Sequence, residues 1–186
     1  MATVATHLLT AKEFAALPPP ADGSKQELVR GVVINMTPPP NFGHGECQAA
    51  VCIILGNFVR ANRLGRITVE SGLQTHHDPD SVRGPDVAFW SKERLPFEQR
   101  PEVYPDVAAD LIVEVRSPSN TPARLIAKIR EYFACGVRLV WVVDPDGRTV
   151  TIYRQPGEGR VMWDDATLSG EDVLPGFTCP VAEFFA

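Results

Sequence analysis

The sequence predicts an α/β domain: a mixed β-sheet flanked by helices, with a β-hairpin near the N-terminus. Three observations lead there. Apolar residues recur at three- and four-residue steps in two stretches, about 44–62 and 121–134, the stripe of a half-buried helix. Short β-type runs bounded by Gly, Pro, Asn and Asp occupy much of the remainder. Their order of hairpin, helix, strands, helix and hairpin suits a sheet with helices packed on it. With 186 residues, 44% of them hydrophobic, the chain is sized for one domain with a full core.

Each element has a local reason. Thr10-Ala11-Lys12-Glu13 is a capping box that starts a short helix to about Leu17, and Pro18-Pro19-Pro20 ends it. Residues 1–9 are expected to be loosely held. Glu27-Leu28-Val29 and Val32–Met36 flank Arg30-Gly31 and predict the hairpin, and Pro38-Pro39-Pro40-Asn41 a stiff connector. In the first long helix the stripe is Cys47, Ala50, Val51, Ile54, Leu55 and Phe58, with Gly65 as its terminator. A strand follows at 66–74, a polar turn at His76–Asp80, a strand at Asp86–Trp90 and a loop at Pro96–Pro105.

Asp110–Arg116 is almost continuously apolar and predicts a central strand. Ser117-Pro118-Ser119-Asn120 breaks it. The second long helix turns Leu125, Ile129, Tyr132 and Phe133 inward, and Gly136 caps it. Asp144-Pro145-Asp146-Gly147 joins strands at 137–143 and 149–154. The tail, Leu174–Phe185, is expected to pack back on the body through its phenylalanines.

Composition narrows function. No apolar run reaches the length of a membrane span, and Met1–His7 lacks a basic start followed by a hydrophobic stretch, so a cytoplasmic chain is expected. Cys47, Cys52, Cys135 and Cys179 have no zinc-ligand spacing. The net charge of -5 argues against strong nonspecific binding of duplex DNA, although a local basic groove can coexist with an acidic remainder. Two small basic clusters, Arg60/Arg63/Arg66 and Arg124/Lys128/Arg130, offer phosphate contacts; solvated helix ends are the plainer reading of each.

The chemistry-bearing residues are Asp86, Glu114 and Lys128. Strand alternation places Glu114 on a face shared with Ile112, where a buried carboxylate needs a partner. Two acids on neighbouring strands suit Mg²⁺, which takes one or two carboxylates plus waters and substrate phosphate; Mn²⁺ is a plausible substitute. Lys128 would orient or activate a water, or neutralise charge at phosphorus. Taken singly, each has a structural alternative: a capping Asp86, an ion-paired Glu114, a surface Lys128 paired with Glu131. Tyr132 and Trp141 could stack on bases, but their periodicity favours core packing.

An ordered set of short motifs resembles the Uma2 family, a group assigned as endonucleases in the PD-(D/E)xK restriction-endonuclease-like superfamily. The motifs are Glu27-Leu-Val-x-Gly31, His44 at a helix start, Pro85-Asp86-Val, Glu114-Val-x-Ser-Pro-Ser, Lys128-x-x-x-Tyr132, Gly136-Val and Trp141-Val-Val-Asp-Pro145. The likeness runs from about 27 to 154. It implies a restriction-endonuclease-like fold and Mg²⁺-dependent cleavage of nucleic acid, DNA first, with a homodimer by analogy to restriction enzymes. Asp86 and Glu114 would be metal ligands, Glu27 an added ligand or water contact, and His44 and Arg116 phosphate contacts. The superfamily usually places a lysine where this chain has Arg116; the resemblance shifts it to Lys128, and arginine makes a poor general base. The alternatives are a non-cutting module of the same fold that binds nucleic acid or protein, and a structural dimer.

Overall fold

The computed structural model describes residues 7–36, 41–117 and 121–186. Pro38–Pro40 and 118–120, read above as a connector and a strand break, lie outside the described residues, as do residues 1–6. Helix α1 (Ala11–Ala15) opens on the expected capping box: Thr10 accepts from the Glu13 backbone, and the Glu13 side chain accepts from the Thr10 N–H. Strands β1 (Gln26–Val29) and β2 (Val32–Asn35) form the hairpin. Arg30 and Gly31 both take positive φ at its turn, the geometry that matches the twist of the flanking strands. Leu9 donates to the Gly31 carbonyl at 2.9 Å, so the chain before α1 is tied to this turn.

Helix α2 (Phe42–Ala61) begins two residues earlier than its apolar stripe suggests, because Asn41 caps it by accepting from the His44 N–H at 3.0 Å. Its buried face carries Cys47, Val51, Leu55 and Val59, with Gln48 among them. The strand expected across 66–74 is two strands in different sheets, β3 (Gly65–Val69) and β4 (Leu73–His76). β5 (Ser81–Arg83) was not anticipated; it is three residues long, too short for a periodicity. β6 (Val87–Ser91), β7 (Leu111–Val115), α3 (Pro122–Ala134), β8 (Leu139–Asp144) and β9 (Thr149–Gln155) follow close to expectation. β10 (Glu158–Trp163) is a further unanticipated strand, mostly exposed and therefore without an apolar alternation. β11 (Thr167–Ser169), β12 (Thr178–Pro180) and a 3-10 turn at Val181–Phe185 complete the described chain.

The central sheet has the order β10-β9-β8-β7-β6-β3. Its mixed character comes from one parallel pair, β7 with β8, linked by α3 as the crossover; its other pairs are antiparallel. The hairpin joins β5 and β4 in a second antiparallel sheet, β2-β1-β5-β4. The two faces of the central sheet carry separate cores. α2 covers Val87, Phe89, Leu111, Val113 and Val115, along with Trp141 and the tail residues Phe177 and Phe184. α3 covers Ala88, Trp90, Ile112, Val140 and Val142 through Ile129 and Tyr132. Trp141 packs 6.0 Å from the ring of Phe177 and 6.4 Å from that of Phe184, which seats the tail as expected.

Gly65 does not serve as the terminator of α2. Asn62 ends that helix, and Gly65 opens β3, where an added Cβ would lie 2.0 Å from the Trp90 carbonyl oxygen. The glycine is required by the close approach of two strands. Gly65→Ala is therefore expected to destabilise by about 1–3 kcal/mol, while Gly56→Ala, in open space on α2, should stabilise by about 0.5–1 kcal/mol. Urea denaturation of both variants checks this; a neutral Gly65→Ala would return the residue to a simple capping role.

Candidate functional site

Three elements bring the charged residues together. β1 supplies Glu27, β7 supplies Glu114 and α3 supplies Lys128. Glu27 and Glu114 are 1% and 3% exposed, although a hairpin glutamate is ordinarily solvated. The Lys128 ammonium lies between them, 2.8 Å from Glu114 Oε1 and 3.2 Å from Glu27 Oε1. The Tyr132 hydroxyl, one turn along α3, donates to Glu114 Oε1 at 2.5 Å. Arg83 on β5 donates to Glu27 Oε2 at 2.9 Å, and the Gly84 N–H donates to Glu27 Oε1 at 3.2 Å. The other edge of the Arg83 guanidinium holds Glu131, Nη2 to Oε2 at 2.6 Å.

Asp86 sits just before β6 and is also buried. Its Oδ2 accepts from the Val115 N–H at 2.7 Å, which places it at the end of β7 that carries Glu114. Its Oδ1 faces His44 Nε2 at 3.6 Å and Lys25 Nζ at 3.8 Å. Gln48 of α2 donates to its carbonyl at 3.1 Å. Arg116 takes a different course. Its half-exposed guanidinium pairs with Asp144, so it lies outside the ring of contacts around Lys128.

Electrostatics follow from burial and pairing. Burial favours a protonated Glu27, yet Lys128 and Arg83 outweigh it and hold the carboxyl below its ordinary value. Burial pushes Glu114 up more strongly than Lys128 pulls it down, and the negative charge of Asp86 adds to the rise. Asp86 itself is held low against burial by His44 and Lys25. His44 is raised, since Asp86 overrides the desolvation of its ring. Lys128 is raised as well, because Glu114 and Glu27 more than compensate for its burial. It is therefore an ammonium at neutral pH, and the role that suits it is charge neutralisation.

The cluster opens on a cleft of about 200 Å³ between the hairpin and α3. Val29, Ile34, Met36 and Leu125 form its apolar walls; Glu27, Glu114, Lys128, Arg83 and Arg124 present charge to it. Among the described residues no group of three or more His, Cys, Asp or Glu is arranged to hold a metal ion. The donor set that does exist, two hard carboxylates and no thiolate, suits a cation that keeps waters and substrate oxygens in its shell.

Arg83 and Tyr132, together with Lys25 and Gln48 beside Asp86, are site residues that sequence reasoning did not single out as polar partners. Arg83 belongs to the unanticipated β5. Tyr132 is core, as its periodicity implied, and also a hydrogen-bond donor to a catalytic candidate; its position four residues after Lys128 was the available signal.

The depressed carboxyl of Glu27 makes a pH prediction. The unfolded chain binds its proton more readily, so Glu27 stabilises the fold above the ordinary value of 4.5, and that contribution is lost as pH falls through the lower native one. Glu27→Gln should cost about 1–3 kcal/mol at neutral pH, with the gap to the parent closing below about pH 4.5. Urea titrations across pH measure the gap; a gap that stays constant into acid would show that the charge of Glu27 is not what stabilises.

Comparison with known proteins agrees with this architecture. A crystal structure of a putative nuclease belonging to DUF820, from Anabaena variabilis, is similar with a TM-score of 0.81 and 23% sequence identity, covering 95% of this chain and 97% of that one. No curated protein matches the chain at a significant level. The Uma2 family model, described as a putative restriction endonuclease, matches residues 11–182. With that match spanning nearly its whole length, the chain belongs to the Uma2 family.

Proposed function

We propose that the chain is a divalent-metal-dependent nuclease that hydrolyses phosphodiesters of nucleic acid, DNA in the first instance, in the cleft between the hairpin and α3. The observation that carries this reading is the buried Glu27–Lys128–Glu114 cluster beside Asp86, open to a cleft. A buried ionic cluster is weak evidence of a stabilising role by itself, and this one is set on the wall of a cleft, where a ligand can reach it. Membership of a family described as restriction endonucleases supports it.

In this reading Asp86 and Glu114 would hold Mg²⁺, or Mn²⁺ in its place, and Glu27 contributes through the cation network it shares with Lys128. When bound, the metal polarises the phosphodiester and lowers the pKa of a water. The protein's own contribution is positional. Tyr132 fixes the Glu114 carboxylate, and the Val115 N–H fixes that of Asp86. Lys128 brings a full positive charge into a site of low dielectric, where it opposes the charge that builds on the phosphoryl oxygens. His44 and Lys25, which lie beside Asp86, would be the groups to meet a neighbouring phosphate in this reading. Arg116 serves the substrate only if it leaves Asp144.

The second reading, a non-cutting module of the same fold, draws on one observation: Lys128 is already neutralised by two glutamates, so the cluster is self-sufficient as a structural core. Four free cysteines suit a reducing cytoplasm. A homodimer follows the restriction-enzyme analogy, and Val161 and Trp163 are exposed on the edge strand β10 where a second copy could pair. No helix among the described residues is long and apolar enough to cross a membrane.

Calorimetric titration of Mn²⁺ should show binding that Asp86→Ala abolishes; equal binding in both removes the metal site. With Mg²⁺ and plasmid or oligonucleotide substrates, Glu114→Gln and Lys128→Met should each lower the cleavage rate about 10²–10³-fold, and EDTA should stop it. A pure parent that never cuts would leave the module reading in its place, and cleavage that persists through all three substitutions would mean a contaminant or a different site.

A further inference from the structure

Beyond the cleft, the structure gathers a second set of charges at the far end of α2. Arg60 lies in the last turn of that helix and Arg63 just past its Asn62 cap, Arg66 lies on edge strand β3, and Arg100 arrives from the loop that follows β6. They border a groove of about 630 Å³ in which no acidic residue contributes to the lining. Arg60, Arg63 and Arg100 are exposed, and none of the three has an ion-pair partner among the described residues. Elsewhere the exposed arginines are mostly spent: Arg116 on Asp144, Arg138 on Asp172, Arg148 on Asp164, and Arg154 and Arg160 on Glu171. One arginine at a helix C-terminus is accounted for by the helix dipole. Four converging from two separate stretches of chain, 60–66 and the loop that carries Arg100, are not.

Two further features point to a polyanion with planar groups. Phe97 is 43% exposed on the groove, with the Arg66 guanidinium 5.8 Å from its ring centroid, and the Pro96 carbonyl holds that guanidinium at 2.7 Å. An aromatic ring paired with a guanidinium is a stacking platform. Gly56 leaves open space on the groove side of α2 where a larger residue would fill it. All this belongs to a chain of net charge -5, so the basic face is local.

We infer that this groove is an accessory docking surface for the phosphate backbone of the nucleic acid cut at the cleft. The inference rests on the nuclease reading and deepens it. His44, at the catalytic end of α2, and Arg60 are 16 residues apart on one helix, about 24 Å along its axis. At about 3.4 Å per base pair, a bound duplex needs about seven base pairs to reach from one to the other. The chain therefore takes a polynucleotide and disfavours short oligomers. Its arginines raise affinity without reading sequence, since phosphate contacts position a substrate and base contacts specify it.

The test separates docking from cutting. Binding of a fluorescein-labelled 20-bp DNA duplex is followed by anisotropy in EDTA, over a series of salt concentrations. Arg60→Ser/Arg63→Ser/Arg100→Ser should weaken binding at least tenfold at low salt and flatten the slope of log K against log salt by about two to three units. Lys12→Ser/Arg148→Ser/Arg160→Ser removes the same charge elsewhere and should leave both nearly unchanged; thermal denaturation confirms that each variant is folded. Parental affinity and slope in the first variant overturn the inference, as does equal weakening in the second, which would mean bulk charge alone. Loss of heparin binding with retention of the duplex would assign the face to another polyanion and overturn it too. Because no metal is present, these outcomes do not depend on cleavage: a docking variant that binds poorly in a protein that never cuts refutes the nuclease reading and leaves the surface standing.

Discussion

The constraint on which the rest of the molecule depends is the burial of one ammonium. Lys128 cannot enter the protein interior as a cation without counter-charge, and neither Glu27 nor Glu114 can remain there ionised without Lys128. Each of the three comes from a different structural unit: the hairpin sheet, the central sheet and α3. The requirement that they meet therefore sets how these units dock. Arg83 extends the same logic, bridging Glu27 of the hairpin to Glu131 of α3 from a third strand. Outside this network the docking is mostly apolar, with local polar anchors such as buried Asp110, which pairs with Arg94 and Arg138; inside it, a displaced partner leaves a charge unpaired.

Asp86 does comparable work on the other side of Glu114. β6 and β7 pair as far as Val87 with Val113, and beyond that point the Asp86 carboxylate takes the Val115 N–H. A side chain thus replaces the ladder at the end of the sheet where the site is built. The Asp86 carbonyl receives Gln48, which anchors α2 to the same point. The stretch of chain around Asp86 consequently belongs to both cores, and its carboxylate is kept ionised by His44 and Lys25 while Glu114 is pushed the other way. Two nearby carboxyl groups whose proton affinities are driven apart are what acid–base and metal chemistry can exploit.

Legibility differed from residue to residue for physical reasons. The faces of β6 and β7 followed from alternation, and the two cores divide as that alternation requires. Glu114 stood out because its charge interrupts an apolar row, whereas Asp86 and Lys128 gained weight from the pairing of the two acids and from the family resemblance. Glu27 did not stand out so clearly, since a glutamate on a hairpin is ordinarily wet and only the packing of α3 over it makes it buried. β5 and β10 escaped because three residues in one case and solvent on most of the strand in the other leave no period to read. Gly65 was misassigned because a glycine after a helix looks like a cap, whereas a clash with the Trp90 carbonyl is visible only in space.

The amino-acid sequence alone determined most of the element types, the mixed α/β class and the family likeness, and it nominated the acids and the amine, because periodicity, capping and interrupted apolar runs are local properties. The tertiary structure alone decided that Lys128 faces two glutamates where Glu131 was its nearest neighbour on the helix, that Arg116 turns to Asp144, and that Arg100 joins Arg60, Arg63 and Arg66. Each of those outcomes is a contact between residues distant in the chain. Coulombic energy depends on distance in space, and only the packed fold specifies that distance.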